Sequence, residues 1–310
     1  MLAIVAPGQG SQSPGFLTPW LADTALLDLL NSWSQSIGVD FVRLGTTADA
    51  DEIRATENAQ PLIVAAGMLG ARALENPFAK VFAGHSVGEI TVANLSGVLQ
   101  DLDALSLVRE RGQAMALSAV KSATGMSAIL GGDREVIVAA LKEIGLVPAN
   151  ENGAGQIVAA GPLAALELLA ANPPEGARVR PLAVAGAFHT DAMAGAVEHV
   201  ANFGHSLSTA NPTSQILSNS DGEQVASGAE VLARIVKQIA NPVRWDLCME
   251  TMKRLGVTAV IELPPAGTLV GLIKRAMPGV ETLALKTPDD LEAARDLISR
   301  HTATSEKVDQ

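Results

Sequence analysis

The chain opens on an apolar run, residues 1–6, closed by Pro7-Gly8. A run of that length ending in turn residues predicts a buried strand. Apolar positions then recur every three or four residues through 16–30 and again through 59–74, the spacing of a helix. Residues 80–83 predict a second short strand that enters Gly84-His85-Ser86, with a helix following to about Asn94. A longer helix is expected over 102–120. Strands that lead into helices imply an α/β core with a largely parallel sheet.

The pattern then changes. Residues 126–130 read as a strand, 134–144 as a helix, 147–150 and 156–160 as strands, 163–171 as a helix and 179–184 as a strand. The two central strands are joined by the turn-rich Glu151-Asn152-Gly153-Ala154-Gly155. This β-α-β-β-α-β order is that of a ferredoxin-like unit. It predicts a small subdomain, 123–187, inserted into a discontinuous large one, 1–122 and 188–310. After it the core pattern resumes, with helices at 191–203, 230–238, 246–255, 269–275 and 290–300 and strands at 257–262 and 282–285. The polar tail from Thr302 is expected to be disordered.

Composition narrows the function. Nearly half the residues are apolar and aromatic residues are few, with no Tyr, so the core must be aliphatic. Stacking platforms for single-stranded nucleic acid are not expected, and a net charge of −11 counts against a general nucleic-acid binder. A single cysteine, Cys248, excludes an internal disulfide framework and a cysteine-rich metal site, and no His and carboxylate spacing reads as a metal site. The start carries no basic leader, and the apolar stretch 62–74 is too short to span a bilayer and is broken by Arg72. A cytoplasmic protein is expected, with no membrane and no nucleic-acid partner.

Gly84-His85-Ser86-Val87-Gly88 fits G-x-S-x-G between a strand and a helix, the setting of a nucleophile elbow. Such a turn lifts the serine hydroxyl into open space and aims the following N–H groups at the anion formed on attack. Serine needs a base. Of the five histidines, His301 is near the end, and His199 and His205 lie on or just past a helix. His85 should point away from its neighbour. His189 lies where the small unit returns to the core. A loop histidine there can be structural or catalytic. For a third member, Asp101, Asp103 and Asp133 follow Ser86 in the chain but none sits in a suitable loop; a backbone carbonyl is the other way to orient an imidazole.

In the helix over 102–120, Ala104, Val108, Arg111, Met115 and Ala119 form one stripe. Arg111 interrupts it, so burial demands an anionic or snorkelling solution. One is a salt bridge to a core acid. The other is a substrate carboxylate held by the guanidinium fork, with Gly112 allowing close approach.

Gly8-Gln9-Gly10-Ser11-Gln12, Gly84-His85-Ser86-Val87-Gly88-Glu89, Arg111-Gly112-Gln113-Ala114-Met115, Gly186-Ala187-Phe188-His189 and Asn241-Pro242-Val243-Arg244-Trp245 occur together in that order. The set resembles the malonyl-CoA:acyl carrier protein transacylase family, similar to the acyltransferase domains of fatty-acid and polyketide synthases. The resemblance covers residues 1–290 and implies an α/β-hydrolase-like core with a ferredoxin-like subdomain. It implies Ser86 as nucleophile, His189 as general base, and an oxyanion hole from the N–H groups of Gln9 and Val87. It assigns Arg111 to the malonyl carboxylate and the main-chain carbonyl of Gln238 to orienting His189. Gln60, Met115 and Phe188 would line the acyl pocket, with Asn150 and Asn152 in the facing turn of the small subdomain. Phe188 resembles malonyl-selective members, since methylmalonyl-selective ones commonly carry a serine there. Pro264-Pro265-Ala266-Gly267 departs from the Gly-Pro-Gly type turn of many members.

The activity so implied is malonyl transfer from malonyl-CoA to a phosphopantetheinylated acyl carrier protein, with no bound cofactor, by a monomer. A serine esterase or thioesterase and a methylmalonyl-preferring acyltransferase are the alternatives. The carrier is expected to be acidic, so Arg178 with Arg180, or Lys274 with Arg275, are candidates for a local basic patch, as well as ordinary surface charge.

Overall fold

The computed structural model describes residues 1–75 and 79–302; the tail beyond Thr302 lies outside them. Among these residues the strands are, in chain order, β1 (Leu2–Ala6), β2 (Val81–Gly84), β3 (Thr124–Gly131), β4 (Val147–Gly153), β5 (Gln156–Pro162), β6 (Ala177–Pro181), β7 (Gln215–Leu217), β8 (Gln224–Val225), β9 (Val243–Arg244), β10 (Ala259–Glu262) and β11 (Glu281–Ala284). They form two sheets of an α/β fold. The large one has the order β11-β10-β1-β2-β7-β8 and is parallel except for the β7–β8 edge.

Strand β1 is buried along its whole length because both its faces are covered. Leu2, Ile4 and Ala6 join one apolar cluster, and Ala3 and Val5 another, as alternation across a strand requires. The first cluster holds the helix Thr56–Ala73, which is buried nearly all round. Across it lies the helix Asp101–Ala119, in which all five residues of the stripe are buried. Gly112 permits this approach: a Cβ there would stand 3.0 Å from the Thr56 carbonyl oxygen.

The second sheet runs β6-β3-β5-β4-β9. Its first four strands are mutually antiparallel neighbours, and two helices, Arg134–Glu143 and Leu163–Ala171, connect them. The fifth strand comes from outside 123–187. β9 lies parallel to β4, with Asn150 opposite Val243 and Glu151 opposite Arg244. Arg244 stands 3.5 Å from Glu151, which also accepts from Arg134. The sheet of the inserted segment is thereby continued by the Asn241–Trp245 stretch.

Several expectations change in detail. Residues 16–30 are not one helix, because Pro14 and Pro19 withhold N–H groups and Asp23 starts a new helix. Its carboxylate accepts from Ala25 and Leu26 N–H, and Thr24–Ile37 follows. β4 extends through Asn152, so Asn152 belongs to the strand and the turn is only Ala154-Gly155, both with positive φ. The short helices Phe41–Thr46 and Ala50–Arg54, and the strands β7, β8 and β9, are too short to leave a periodic signal. Among the described residues, no helix is long and apolar enough to cross a membrane.

Candidate active site

Strand β2 delivers the chain to Ser86, which sits at φ 52° before the helix Gly88–Leu95. The glycines of the motif are required by contact. A Cβ on Gly84 would lie 2.0 Å from the Gly88 carbonyl carbon, and one on Gly88 would lie 2.3 Å from the Ala6 oxygen. Backbone meets backbone at both places, so neither side can give way.

Ser86 Oγ lies 2.8 Å from His189 Nε2. His189 is itself at φ 61°, and its Nδ1 is 2.7 Å from the Gln238 main-chain oxygen. A carbonyl only accepts, so Nδ1 carries the proton and Nε2 is free to accept the serine proton. Burial, and then the Arg111 charge, push the imidazole down to about 3. It is therefore neutral at ordinary pH, the form a base needs. The carbonyl occupies the place of a triad acid. Asp101 is bound instead to Arg72 and Asn94, and Asp133 caps the helix Arg134–Glu143. Three other histidines are engaged elsewhere. His85 meets Asn152 Oδ1 at 2.8 Å and the edge of Trp245, and His199 and His301 meet Glu110 and Glu281.

Arg111 is fully buried and ends beside the nucleophile. Nη1 donates to Gln60 Oε1 at 2.6 Å and Nη2 to Gln238 Oε1 at 3.0 Å, while Nη2 stands 3.4 Å from Ser86 Oγ. Among the described residues these partners are neutral oxygens and no carboxylate pairs with it. Burial lowers the guanidinium to about 10, which leaves it charged.

Ser86 and His189 open on a cleft of about 260 Å³ between the two sheets' loops. Gln60, Met115 and Phe188 line its inner wall, Gln9 and Val87 the side of the elbow, and Asn150 and Asn152 the wall formed by β4. Arg111 and Gln238 stand in the layer behind. Within the elbow His85, Ser86, Gly88 and Glu89 N–H all have protein acceptors, whereas Val87 N–H has none among the described residues. The Gln9 side chain is turned to the Arg54 carbonyl and Thr56.

Two residues escaped the sequence reading of roles. Glu89 is buried, with Oε1 accepting from Asn219 N–H at 2.6 Å and Oε2 from Gln238 Nε2 at 2.5 Å. Burial pushes its carboxyl up, against the Asn219 N–H and the Arg111 charge. A single charge in an otherwise uncharged, buried helix was a visible signal, of the kind that singled out Arg111. Asn219 follows β7 in Ser218-Asn219-Ser220-Asp221, which reads as any polar turn.

A hydroxyl bonded to a neutral imidazole, with a free N–H and a cation beside it, is equipped for acyl transfer. The known proteins that the chain is similar to agree. The family model described as acyl transferase domain matches residues 4–287. The malonyl CoA-acyl carrier protein transacylase of Mycobacterium bovis is 48% identical over 302 residues, 96% of this chain and 100% of the relative. The crystal structure of MCAT from Mycobacterium tuberculosis superposes with a TM-score of 0.92 at 48% identity, covering 95% of this chain and 99% of the other. A malonyl-transacylase solved in complex with its type II PKS acyl-carrier protein gives 0.89 at 30% identity, covering 95% and 99%. The chain belongs to the malonyl-CoA:acyl carrier protein transacylase family of acyl transferase domains.

Proposed function

We propose that this chain moves a malonyl group from malonyl-CoA to the phosphopantetheine thiol of an acyl carrier protein through a malonyl ester on Ser86. The observation that carries the reading is Arg111: a charged, buried guanidinium with only neutral hydrogen-bond partners, 3.4 Å from the Ser86 hydroxyl. An acyl group that ends in a carboxylate supplies the missing anion and is held by the fork with its thioester over the serine. An ordinary esterase substrate has no use for that charge.

Ser86 Oγ attacks the thioester carbonyl carbon as its proton passes to His189 Nε2. The Gln238 carbonyl stabilises the imidazolium through Nδ1–H. Val87 N–H and Gln9 N–H hold the oxyanion. The C–S bond breaks, coenzyme A leaves with the proton from His189, and malonyl-Ser86 remains. The carrier's thiol then gives its proton to His189, attacks the ester and leaves as malonyl thioester, returning the proton to Ser86. Gln60, Met115 and Phe188 bound the acyl pocket, and the Phe188 ring beside the acyl chain favours malonyl over methylmalonyl, one methyl being worth about 1–3 kcal/mol. Asn150 and Asn152 offer amides to the pantetheine arm shared by both substrates. The protein takes no bound cofactor and acts as a monomer.

The strand order supports reading 123–187 as a ferredoxin-like subdomain set on an α/β-hydrolase-like core formed by 1–122 and 188–310. Carrier docking involves exposed charge near the cleft. Arg178 and Arg180 alternate on the edge strand β6, and Lys274 and Arg275 lie on the helix Thr268–Ala276, whose Leu269 and Leu272 line the cleft. Reversing a docking pair raises the carrier KM and leaves loading from malonyl-CoA unchanged; an unchanged carrier KM removes that pair.

The test of the whole reading is intact-mass spectrometry after mixing with malonyl-CoA. A malonyl adduct forms, is absent in Ser86→Ala, and disappears when carrier protein is added. Rapid release of free malonate without carrier would make the chain a thioesterase instead.

A further inference from the structure

The Gln238 side chain has no role in the steps above, yet it is buried at the centre of the site. Its amide orientation is forced by its neighbours. Arg111 can only donate, so Oε1 must face it; the Ser86 carbonyl only accepts, so Nε2 must face it, and Glu89 Oε2 lies 2.5 Å from the same nitrogen. Asn219 is fixed in the same way. Its Oδ1 accepts from Ser86 N–H at 2.8 Å and from Gln238 Nε2 at 2.9 Å, and its Nδ2 donates to the Gly84 carbonyl at 2.8 Å. Asn219 thus clasps the elbow on either side of His85, just before Ser86. Glu89 joins the two amides, accepting from Asn219 N–H through one oxygen and from Gln238 through the other.

We infer that Glu89 and Asn219 are positioning residues that act through the Gln238 amide, holding the Arg111 fork and the His189-orienting carbonyl in register with Ser86. Gln238 is the shared part: its main chain holds the imidazole, its Oε1 holds the guanidinium, and its Nε2 is held by the acid and the asparagine. The side chain of Glu89 matters because both of its oxygens meet donors. A neutral amide at position 89 has one oxygen and one NH2 to offer. Its NH2 must face Asn219 N–H or Gln238 Nε2, and relief of the second clash turns the Gln238 amide over, so that NH2 confronts Arg111.

The inference rests on the malonyl-transfer reading, so wild-type loading of Ser86 is the control. No wild-type adduct would sink that reading, whereas loading with unaltered variants would sink only this one. The experiment compares single-turnover loading from malonyl-CoA and acetyl-CoA in wild type, Glu89→Gln, Gln238→Met and the double variant, with thermal melting alongside. Gln238→Met fills the same space and keeps the main-chain carbonyl. Malonyl loading is expected to fall about 10- to 100-fold in either single variant, the range of a hydrogen bond to a charged group. Acetyl loading falls less, so the malonyl preference drops. The double variant is expected to be no worse than the worse single, because both cut one network. A purely structural role would lower malonyl and acetyl loading together, in step with melting. That outcome, or multiplying losses in the double variant, would overturn the inference.

Discussion

At the scale of single residues, the site depends on charges kept where water cannot reach them. Arg111 stays protonated in the core because burial lowers its guanidinium only to about 10, and amide oxygens accept its hydrogen bonds. Replacing it with Ala is expected to lower malonyl loading of Ser86 by about 100-fold, the upper part of the range for a charge-assisted contact. Acetyl-CoA should gain relative to malonyl-CoA, and competition between the two donors reads the change directly. The same charge helps to keep His189 neutral. The acid limb of the loading rate should therefore lie well below 6.5, the imidazole's ordinary value, and move up in Arg111→Ala. Stopped-flow loading between about pH 4 and 8 should show no fall centred near the ordinary imidazole value; a wild-type limb there would show that the imidazole is not shielded as its burial demands.

At the scale of elements, the elbow is a packing problem solved twice by glycine. Gly84 faces the start of the following helix and Gly88 faces β1, each at distances no side chain tolerates. Gly88→Ala should destabilise the fold by about 1–3 kcal/mol, as overpacking against backbone does, and displace Ser86 as well. Urea unfolding measures the first effect and adduct formation the second; an unshifted midpoint would mean that β1 yields. These glycines, the apolar strand before them and the buried stripe of the Arg111 helix were readable, because each is a local pattern of side chains. The β4–β9 pairing was not. Two residues carry no periodicity, and their strand character exists only because β4 lies alongside.

At the scale of the whole molecule, the inserted segment is tied to the later chain where β9 lies along β4 and Arg244 stands 3.5 Å from Glu151. The price of a dry site is a pH-sensitive fold. His189 is lowered to about 3 in the folded chain and has its ordinary value of 6.5 when unfolded. Between these limits the unfolded state binds more protons, so this contribution is complete above 6.5 and is lost as pH falls towards 3. His189→Gln cannot take up that proton. Its stability should fall less steeply than wild type across this window, as denaturant titrations at a series of pH values would reveal; parallel curves would exclude a buried neutral His189.

The order of residues by itself determined the α/β class, the elbow, the apolar faces and the chemical oddity of Arg111, since these depend on side-chain type and spacing within one element. Resemblance added the pairing of Ser86 with His189. What only the tertiary structure decided is which distant groups touch. Ser86 and His189 are 103 positions apart, and the Gln238 side chain reaches Glu89 across 149. Every residue carries a carbonyl, so nothing in the residue type marks the Gln238 oxygen as the one that orients His189. Asn219 looks like an ordinary turn residue until β7 places it beside the elbow. Hydrogen bonds act over about 3 Å, and distances of that order are fixed by the packing of whole elements.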